Sequence, residues 1–174
     1  MSPQELIHIF DYPDYQTING CLSKAILGLS QEDYDKQSHF FHGRYENLYL
    51  DKGKLPELKT ILDAALIKAG EILGLSADKL QLGFWLNIMR KGDITTLHSH
   101  DDDDELLSAV YYVQVPASAG VFKLHHQGRV SEIIPIEGRY MFFGPSLAHE
   151  VGEHKNDVPR ISIGINFGLK NSHD

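Results

Sequence analysis

The second half of the chain is divided into short apolar or alternating runs, and this pattern constrains the fold more than any other feature. The runs cover residues 82–90, 95–100, 106–115, 120–126, 130–134, 138–143, 149–152 and 160–167. Glycine, proline and charged residues separate them, which is typical of turns between strands. About eight short strands of this kind predict an antiparallel sandwich or barrel.

Helical patterns lie only before this region. Between residues 56 and 73 the apolar side chains recur every three or four residues, at Leu58, Ile61, Leu62, Ala65, Leu66, Ala69, Ile72 and Leu73. Pro56 suits the first turn of that helix and Gly74 suits its end. A shorter helix is predicted over residues 18–27 and ends at Gly28. The sequence therefore predicts a mainly β protein with flanking α: a double-stranded β-helix (jelly roll) with N-terminal helices packed outside.

The length and the absence of a linker favour one domain. A chain of 174 residues can bury a substantial core without disulfides or structural metals. We therefore expect a single domain over residues 1–174, with an N-terminal irregular and helical part at 1–80 and a jelly-roll core at 81–168. Residues 1–54 are irregular and rich in aromatic side chains. Segment 40–45 is interpreted as peripheral packing, and the alternative is a loop or short strand that covers a pocket.

Charge and cysteine content narrow the class of protein. The net charge is −8, and residues 101–105 are all acidic, which argues against binding to nucleic acid backbones. No apolar run approaches the length of a membrane span, and the first residues do not resemble a secretory signal. Cys21 is the single cysteine, which excludes an internal disulfide framework and a cysteine-rich metal site. These features favour a cytoplasmic protein that does not act on membranes.

Metal-ligating side chains alternate at the end of the second predicted strand. His98, His100 and Asp102 stand at every second position, so in an extended chain all three share one face. His149 lies on a later predicted strand and can complete a set of three ligands. Two histidines and one carboxylate leave open positions at a metal, and this arrangement suits non-haem Fe(II) and oxygen chemistry.

The last predicted strand places a cation inside the protein. Residues 160–167 alternate between polar or small side chains and apolar ones, so Arg160 and Ser162 share the face opposite the isoleucines. A buried guanidinium beside a hydroxyl is costly unless an anion meets it, and a carboxylate is its natural bidentate partner. That carboxylate belongs either to a ligand or to an aspartate or glutamate of the protein itself.

Several short segments follow one another in a fixed order: Trp85-x-Asn87, Gly92, His98-x-His100, 108–113 (SAVYYV), Pro116, 120–122 (GVF), 138–145 (GRYMFFGP), 149–151 (HEV) and 160–162 (RIS). This order resembles the 2-oxoglutarate and Fe(II)-dependent oxygenases, most closely their bacterial and phage subgroup. The resemblance covers residues 82–168. The N-terminal third of the chain carries no part of it.

The resemblance implies a reaction and a set of roles. Fe(II) and 2-oxoglutarate would be the cofactors, and decarboxylation of 2-oxoglutarate with O2 would be coupled to hydroxylation of a substrate. No catalytic residue beyond the metal centre is expected. His149 would be the distal metal ligand, and Arg160 with Ser162 would hold the distal carboxylate of 2-oxoglutarate. Tyr111 or Asn87, on a facing strand, would assist them.

The proximal metal ligands are ambiguous. Counting forward from the Trp85 segment favours His98 with His100, whereas counting back from the SAVYYV segment favours His100 with Asp102. Chemical precedent for two histidines and one carboxylate favours His100, Asp102 and His149. We prefer that set and keep His98 as an alternative ligand.

Two other functions compete with the oxygenase. The first is a cupin-like metal-binding isomerase or sugar-binding module, and the second is a jelly-roll interaction domain that has lost its metal. For an oxygenase, the substrate is either a small molecule or a peptidyl side chain, besides O2. Residues 1–54 and the loops after Asp101 and Gln127 are expected to determine it, and the oligomeric state stays open.

Overall fold

A computed structural model describes residues 6–100 and 104–170 of the protein. The helices are α1 (Tyr15–Leu27) and α2 (Pro56–Leu73). The strands are β1 (Ile7–Asp11), β2 (Lys36–Phe41), β3 (Arg44–Tyr49), β4 (Leu80–Met89), β5 (Thr95–His98), β6 (Leu107–Gln114), β7 (Phe122–His126), β8 (Arg129–Ile133), β9 (Arg139–Phe143), β10 (Ala148–Val151) and β11 (Arg160–Leu169). Neither of these helices is long and apolar enough to cross a membrane.

The strands form two antiparallel sheets. The major sheet has seven strands in the order β1-β9-β6-β11-β4-β3-β2, and the minor sheet has four in the order β5-β10-β7-β8. Side chains of both sheets line one cavity between them. The predicted mainly β sandwich is therefore confirmed, and each of the eight predicted strands is present with its ends shifted by a few residues.

Both helices belong to the apolar side of the major sheet. Leu58, Ile61 and Ala65 on the inner stripe of α2 are fully buried in the same core cluster as the isoleucines of β11. Full burial of one aliphatic side chain contributes about 1.5–3 kcal/mol. Gly74 ends α2 in the left-handed conformation at φ 67°, which glycine adopts without a steric cost. The main apolar core of the protein therefore lies on this face of the sheet.

The opposite face of the major sheet points into the cavity. Directly opposed residues of antiparallel strands share a face, and Ser162 of β11 is opposed by Asn87 on one side and by Tyr112 on the other. Gly164 is opposed by Trp85. An irregularity between Ile161 and Ser162 shifts the pairing of β11 with β6. The even-numbered residues of β11 therefore face inward, as the alternation predicted.

The N-terminal segment differs from the prediction, because three strands lie in the region interpreted as irregular. β1 pairs with β9 at one edge of the major sheet, and the β2–β3 hairpin forms the other edge. The hairpin turns at His42 and Gly43, both at positive φ (50° and 79°), as a two-residue turn with primed geometry requires. These strands are partly exposed and their sequences alternate weakly, so only pairing with neighbours identifies them.

Candidate metal centre

Three histidines meet inside the cavity. His98 ends β5 and lies directly opposite His149 of β10, and His100 follows two residues after His98. One potential ligand atom from each of the three lies within 4.8 Å of the others. The ring centroids are 4.3 Å apart for His98 and His149, and 5.2 Å apart for His100 and His149. Three imidazoles at this separation can hold a single metal ion.

Backbone carbonyls orient two of the three rings. Nδ1 of His149 lies 2.9 Å from the carbonyl oxygen of Leu147, and Nδ1 of His98 lies 2.7 Å from that of Thr96. In both cases the ring bonds to the carbonyl two residues before it. A ring that donates from Nδ1 keeps a lone pair on Nε2 for a metal, and such contacts also fix the ring plane.

The surroundings favour the uncharged form of His149. Its side chain is only 5% exposed, and its ring lies against Phe122 and Phe143, with centroids at 5.2 and 4.8 Å. Burial, with smaller contributions from His98 and His100, lowers the pKa of His149 to about 3. A metal binds the neutral imidazole, so His149 is already in its ligand form at neutral pH.

Trp85 forms one wall beside the histidines. Its indole lies 5.3 Å from the ring of His100, measured between centroids. It covers Gly164 so closely that a Cβ atom there would stand 2.3 Å from Cε2 of the indole. A glycine at position 164 is therefore what lets the indole lie against β11.

Arg160 is a deeply buried cation in the wall of the cavity. It is 1% exposed, and its NH1 donates to Oγ of Ser162 at 3.1 Å and contacts Sδ of Met89 at 3.5 Å. Nε of Arg160 has no hydrogen-bond partner, and no carboxylate in residues 6–100 or 104–170 forms an ion pair with it. Burial lowers the pKa of Arg160, while Tyr112 opposes that shift. The structure thus contains a buried positive charge that suits an anion.

Tyr112 lies beside Arg160 and was not named as a site residue from the sequence. The guanidinium carbon of Arg160 lies 5.3 Å from the centre of the Tyr112 ring. The hydroxyl of Tyr112 is buried and has no hydrogen-bond partner among the described residues. Burial raises the pKa of Tyr112, and Arg160 lowers it. Strict alternation along β6 provides the signal, because Tyr112 falls on the face that opposes Ser162.

Tyr111, the tyrosine named from the sequence, does not reach the cavity. It lies on the other face of β6, where its hydroxyl donates to Oδ1 of Asn19 at 2.7 Å and its ring lies 4.4 Å from that of Tyr140. Burial raises the pKa of Tyr111 well above its usual value. The expectation that Tyr111 assists Arg160 is therefore corrected, because successive strand residues point to opposite faces.

Asn87, the other candidate, lines the cavity but is held by the protein itself. Its Nδ2 donates to Oγ1 of Thr95 at 3.0 Å, and its Oδ1 accepts from NH1 of Arg44 at 3.3 Å. Asn87 is therefore part of the rigid wall next to Ser162. Asp102, the predicted carboxylate ligand, lies outside the described residues.

One segment of the chain matches a known protein family. The profile of a family described as "Putative 2OG-Fe(II) oxygenase" matches residues 83–134. This segment begins in β4, includes His98 and His100, and extends past β8. No curated protein matches the chain.

Solved structures extend the likeness to the whole fold. A prolyl-4-hydroxylase from Pseudomonas putida superposes with a TM-score of 0.73 at 16% identity, over 95% of this chain and 94% of that one. A prolyl hydroxylase from Trichoplax adhaerens, in complex with a peptide fragment, gives 0.68 at 15% identity, over 94% and 84%. The epimerase SnoN in complex with Fe3+, alpha ketoglutarate and nogalamycin RO gives 0.71 at 13% identity, over 97% and 84%.

Two facing antiparallel sheets with three histidines between them define a jelly-roll protein that can bind a metal. Within that class, residues 83–134 match the profile of the 2OG-Fe(II) oxygenases, and the resemblance predicted from the sequence is confirmed over this segment. The predicted jelly roll is confirmed by the shared fold. Fe(II) and 2-oxoglutarate, the predicted cofactors, are those of this family.

Proposed function

We propose that the protein is a non-haem Fe(II) hydroxylase that couples oxidative decarboxylation of 2-oxoglutarate to hydroxylation of a C–H bond. The observation that carries this proposal is the buried guanidinium of Arg160, which has no carboxylate partner in the described part of the chain and lines the same cavity as three histidines. A dicarboxylate such as 2-oxoglutarate could bind a metal held by the histidines at one end and the guanidinium of Arg160 at the other.

The metal would be held by His98, His100 and His149. Nitrogen ligands of this kind suit Fe(II), and the two carbonyl contacts of His98 and His149 keep the rings ready for it. When bound, Fe(II) supplies the chemistry that activates O2. Asp102 stays the predicted alternative to one of the imidazoles, as the sequence suggested.

Arg160 and Ser162 would hold the distal carboxylate of 2-oxoglutarate. NH1 of Arg160 already contacts Oγ of Ser162, so the two polar groups form one patch. A planar guanidinium can donate two parallel hydrogen bonds to a carboxylate, which fixes the orientation of the ligand as well as its charge. The buried hydroxyl of Tyr112 is the third donor near this patch.

Apolar side chains would exclude water from the reacting groups. Val110, Phe122, Phe143 and Val151 line the cavity next to the histidines. A dry wall of this kind strengthens each electrostatic contact inside the site and protects reactive species from side reactions. The chain's own contribution is therefore ligand geometry, charge for the carboxylate and a water-poor pocket.

The identity of the substrate is proposed only as a class. A small molecule and a peptidyl side chain both remain candidates, and a prolyl hydroxylase of the same fold is known with a peptide. The cupin-like isomerase or sugar-binding module is disfavoured, because it would leave Arg160 buried without an anion.

Anaerobic titration of the metal-free protein with Fe(II) and then 2-oxoglutarate tests the proposal. We expect a weak visible charge-transfer band in the wild-type protein, because a 2-oxo acid that chelates Fe(II) absorbs there. The Arg160→Met variant should show the band only at much higher 2-oxoglutarate concentrations. Arg129→Met, which removes an exposed arginine at the start of β8, is the matched control. A wild-type protein without the band would contradict the proposal.

A further inference from the structure

The strand that carries His98 has little support from its own sheet. β5 has four residues and is the edge strand of the minor sheet, paired with β10 alone. That pairing is interrupted by a shift of register between His149, which opposes His98, and Val151, which opposes Thr95. An edge strand exposes unpaired backbone groups on its free side, and a short one frays unless something binds there. The position of His98 therefore depends on what holds the free side of β5.

A buried carboxylate from the N-terminal hairpin binds that free side. Glu46 of β3 is 2% exposed. Its Oε1 accepts from the backbone N–H of Thr96 at 2.9 Å, and its Oε2 accepts from Oγ1 of Thr96 at 3.0 Å. Burying a carboxylate is costly, and two charge-assisted hydrogen bonds offset part of that cost. The contact is specific, since both oxygens bind the same residue.

Thr96 connects this carboxylate to His98. The carbonyl oxygen of Thr96 lies 2.7 Å from Nδ1 of His98. Glu46 fixes the amide and the hydroxyl of Thr96, and thereby fixes the direction of its carbonyl. The carbonyl then selects the Nδ1–H tautomer of His98 and turns Nε2 toward the other two histidines.

Arg44 binds the same edge from the other end of β5. Its NH2 donates to the carbonyl oxygen of Ile94 at 2.7 Å and to Oγ1 of Thr95 at 3.1 Å. β3 pairs with β4 at a single position, Leu48 with Leu86, so residues 44–46 lie beyond that pairing. The β2–β3 hairpin thus braces β5 with two charged side chains.

We propose that Glu46 is a positioning residue for the metal centre, acting on His98 through Thr96. This inference rests on the proposed role of His98 as a metal ligand. It assigns a function to the N-terminal segment, where no motif was found. Outer-shell partners of this kind typically change metal affinity by about 10–100-fold when they are removed.

The first test is calorimetric titration of the metal-free protein with Co2+. Glu46→Ala removes both acceptors and should weaken Co2+ binding by roughly 10–100-fold. Glu46→Gln keeps one oxygen for the Thr96 amide and should restore most of the affinity. Thr96→Val removes only the hydroxyl contact and should lie between them. Glu132→Ala changes an exposed glutamate on β8 of the minor sheet, is the matched control and should bind as the wild type does.

The second test needs no metal. Nitrogen NMR of the imidazole rings reports which nitrogen of His98 carries the proton. We expect the Nδ1–H tautomer in the wild type and a smaller fraction of it in Glu46→Ala, because the Thr96 carbonyl is then free to turn. Thermal unfolding shows whether each variant is folded. If Glu46→Ala does not fold, the tautomer of His98 is compared in Thr96→Val and Glu46→Gln instead.

The outcomes separate the two proposals. If the wild type binds no Co2+, or if His98→Ala binds it equally well, the metal site assignment fails and the tautomer of His98 still tests Glu46. If His98→Ala loses Co2+ while folded Glu46→Ala keeps wild-type affinity and the wild-type tautomer, the role of Glu46 is overturned. Loss of affinity in the alanine variant together with rescue by glutamine supports it.

Discussion

At the scale of single residues, the site contains two buried polar atoms without a hydrogen-bond partner in the described part of the chain. They are the Nε of Arg160 and the hydroxyl oxygen of Tyr112. A buried polar group of this kind costs about 1–3 kcal/mol, more when it is charged. A ligand carboxylate bound to Arg160 would remove part of this cost, so binding of the ligand should stabilise the folded protein.

Arg160→Met should therefore separate stability from binding. Without 2-oxoglutarate, the variant should be as stable as the wild type or more stable, by about 1–4 kcal/mol, because an unpaired buried charge is replaced by an apolar side chain. Binding of 2-oxoglutarate to the Co2+-loaded protein should fall by at least tenfold, since hydrogen bonds to a charged group contribute about 1.5–3 kcal/mol. Urea unfolding and calorimetry measure the two effects. A strongly destabilised variant would show that Arg160 has a structural partner instead.

The identity of the third metal ligand is the second residue-scale question. The structure brings His98, His100 and His149 together, so His98→Ala should weaken Co2+ binding by more than the roughly 10–100-fold typical of an outer-shell change. Asp102→Ala should bind as well as Asp104→Ala, a control in the same acidic run. Calorimetric titration of the three variants compares them directly. Loss of binding in Asp102→Ala alone would establish the carboxylate that the sequence favoured.

Alternation along one strand explains which site residues were predictable. Arg160 and Ser162 could be placed inside the protein because polar or small residues alternate with apolar ones along their strand. Alternation along β6 places Tyr112, and not Tyr111, on the face that opposes Ser162. The local sequence does not tell the two apart, because both residues are tyrosines. Glu46 could not be predicted, because its partner Thr96 lies fifty residues away in sequence and on the other sheet.

At the scale of elements, predictability follows the strength of the local pattern. The longer helix was predicted over 56–73 and lies at Pro56–Leu73, because its apolar stripe and its end signals agree. The shorter helix begins three residues earlier than predicted, at Tyr15. β1 and the β2–β3 hairpin were missed, since edge strands that are half exposed carry little period-two signal and depend on pairing.

Close packing of β4 on β11 gives a prediction at this scale. In Gly164→Ala the new methyl group would stand within 2.5 Å of three indole atoms of Trp85, so the ring must move. Overpacking of this kind costs about 1–3 kcal/mol, and the indole should change its position relative to His100. Trp85 is the single tryptophan, so its fluorescence reports the change directly during urea unfolding.

Gly152→Ala is the control for that experiment. A Cβ atom at position 152 would meet its nearest neighbour at 3.7 Å, which is ordinary van der Waals contact. This variant should keep the wild-type fluorescence and lose far less stability. Equal behaviour of the two variants would mean that Trp85 does not pack on Gly164 as described.

At the scale of the whole molecule, the two faces of the major sheet have different tasks. One face packs under the helices and forms the larger apolar cluster, and the other carries Arg160, Ser162 and Trp85 into the cavity. The strands that pack against this cluster are β1, β3, β4, β6, β9 and β11, and all of them except β1 also line the cavity. A change in the helix-side core should lower the free energy of unfolding without altering the cavity of the folded protein.

Leu58→Ala in α2 tests that separation. Leu58 is fully buried in the helix-side core, and its truncation should lower the free energy of unfolding by about 2–5 kcal/mol. A ligand that binds only the folded state adds RT ln(1 + [L]/Kd), which is about 2.7 kcal/mol when Co2+ is at a hundred times its Kd. Because the cavity face is unchanged, this increment should be the same in the variant and in the wild type, as measured by urea unfolding with and without Co2+. A smaller increment in Leu58→Ala would mean that the helix-side core also sets the geometry of the histidines, and that the two faces are coupled.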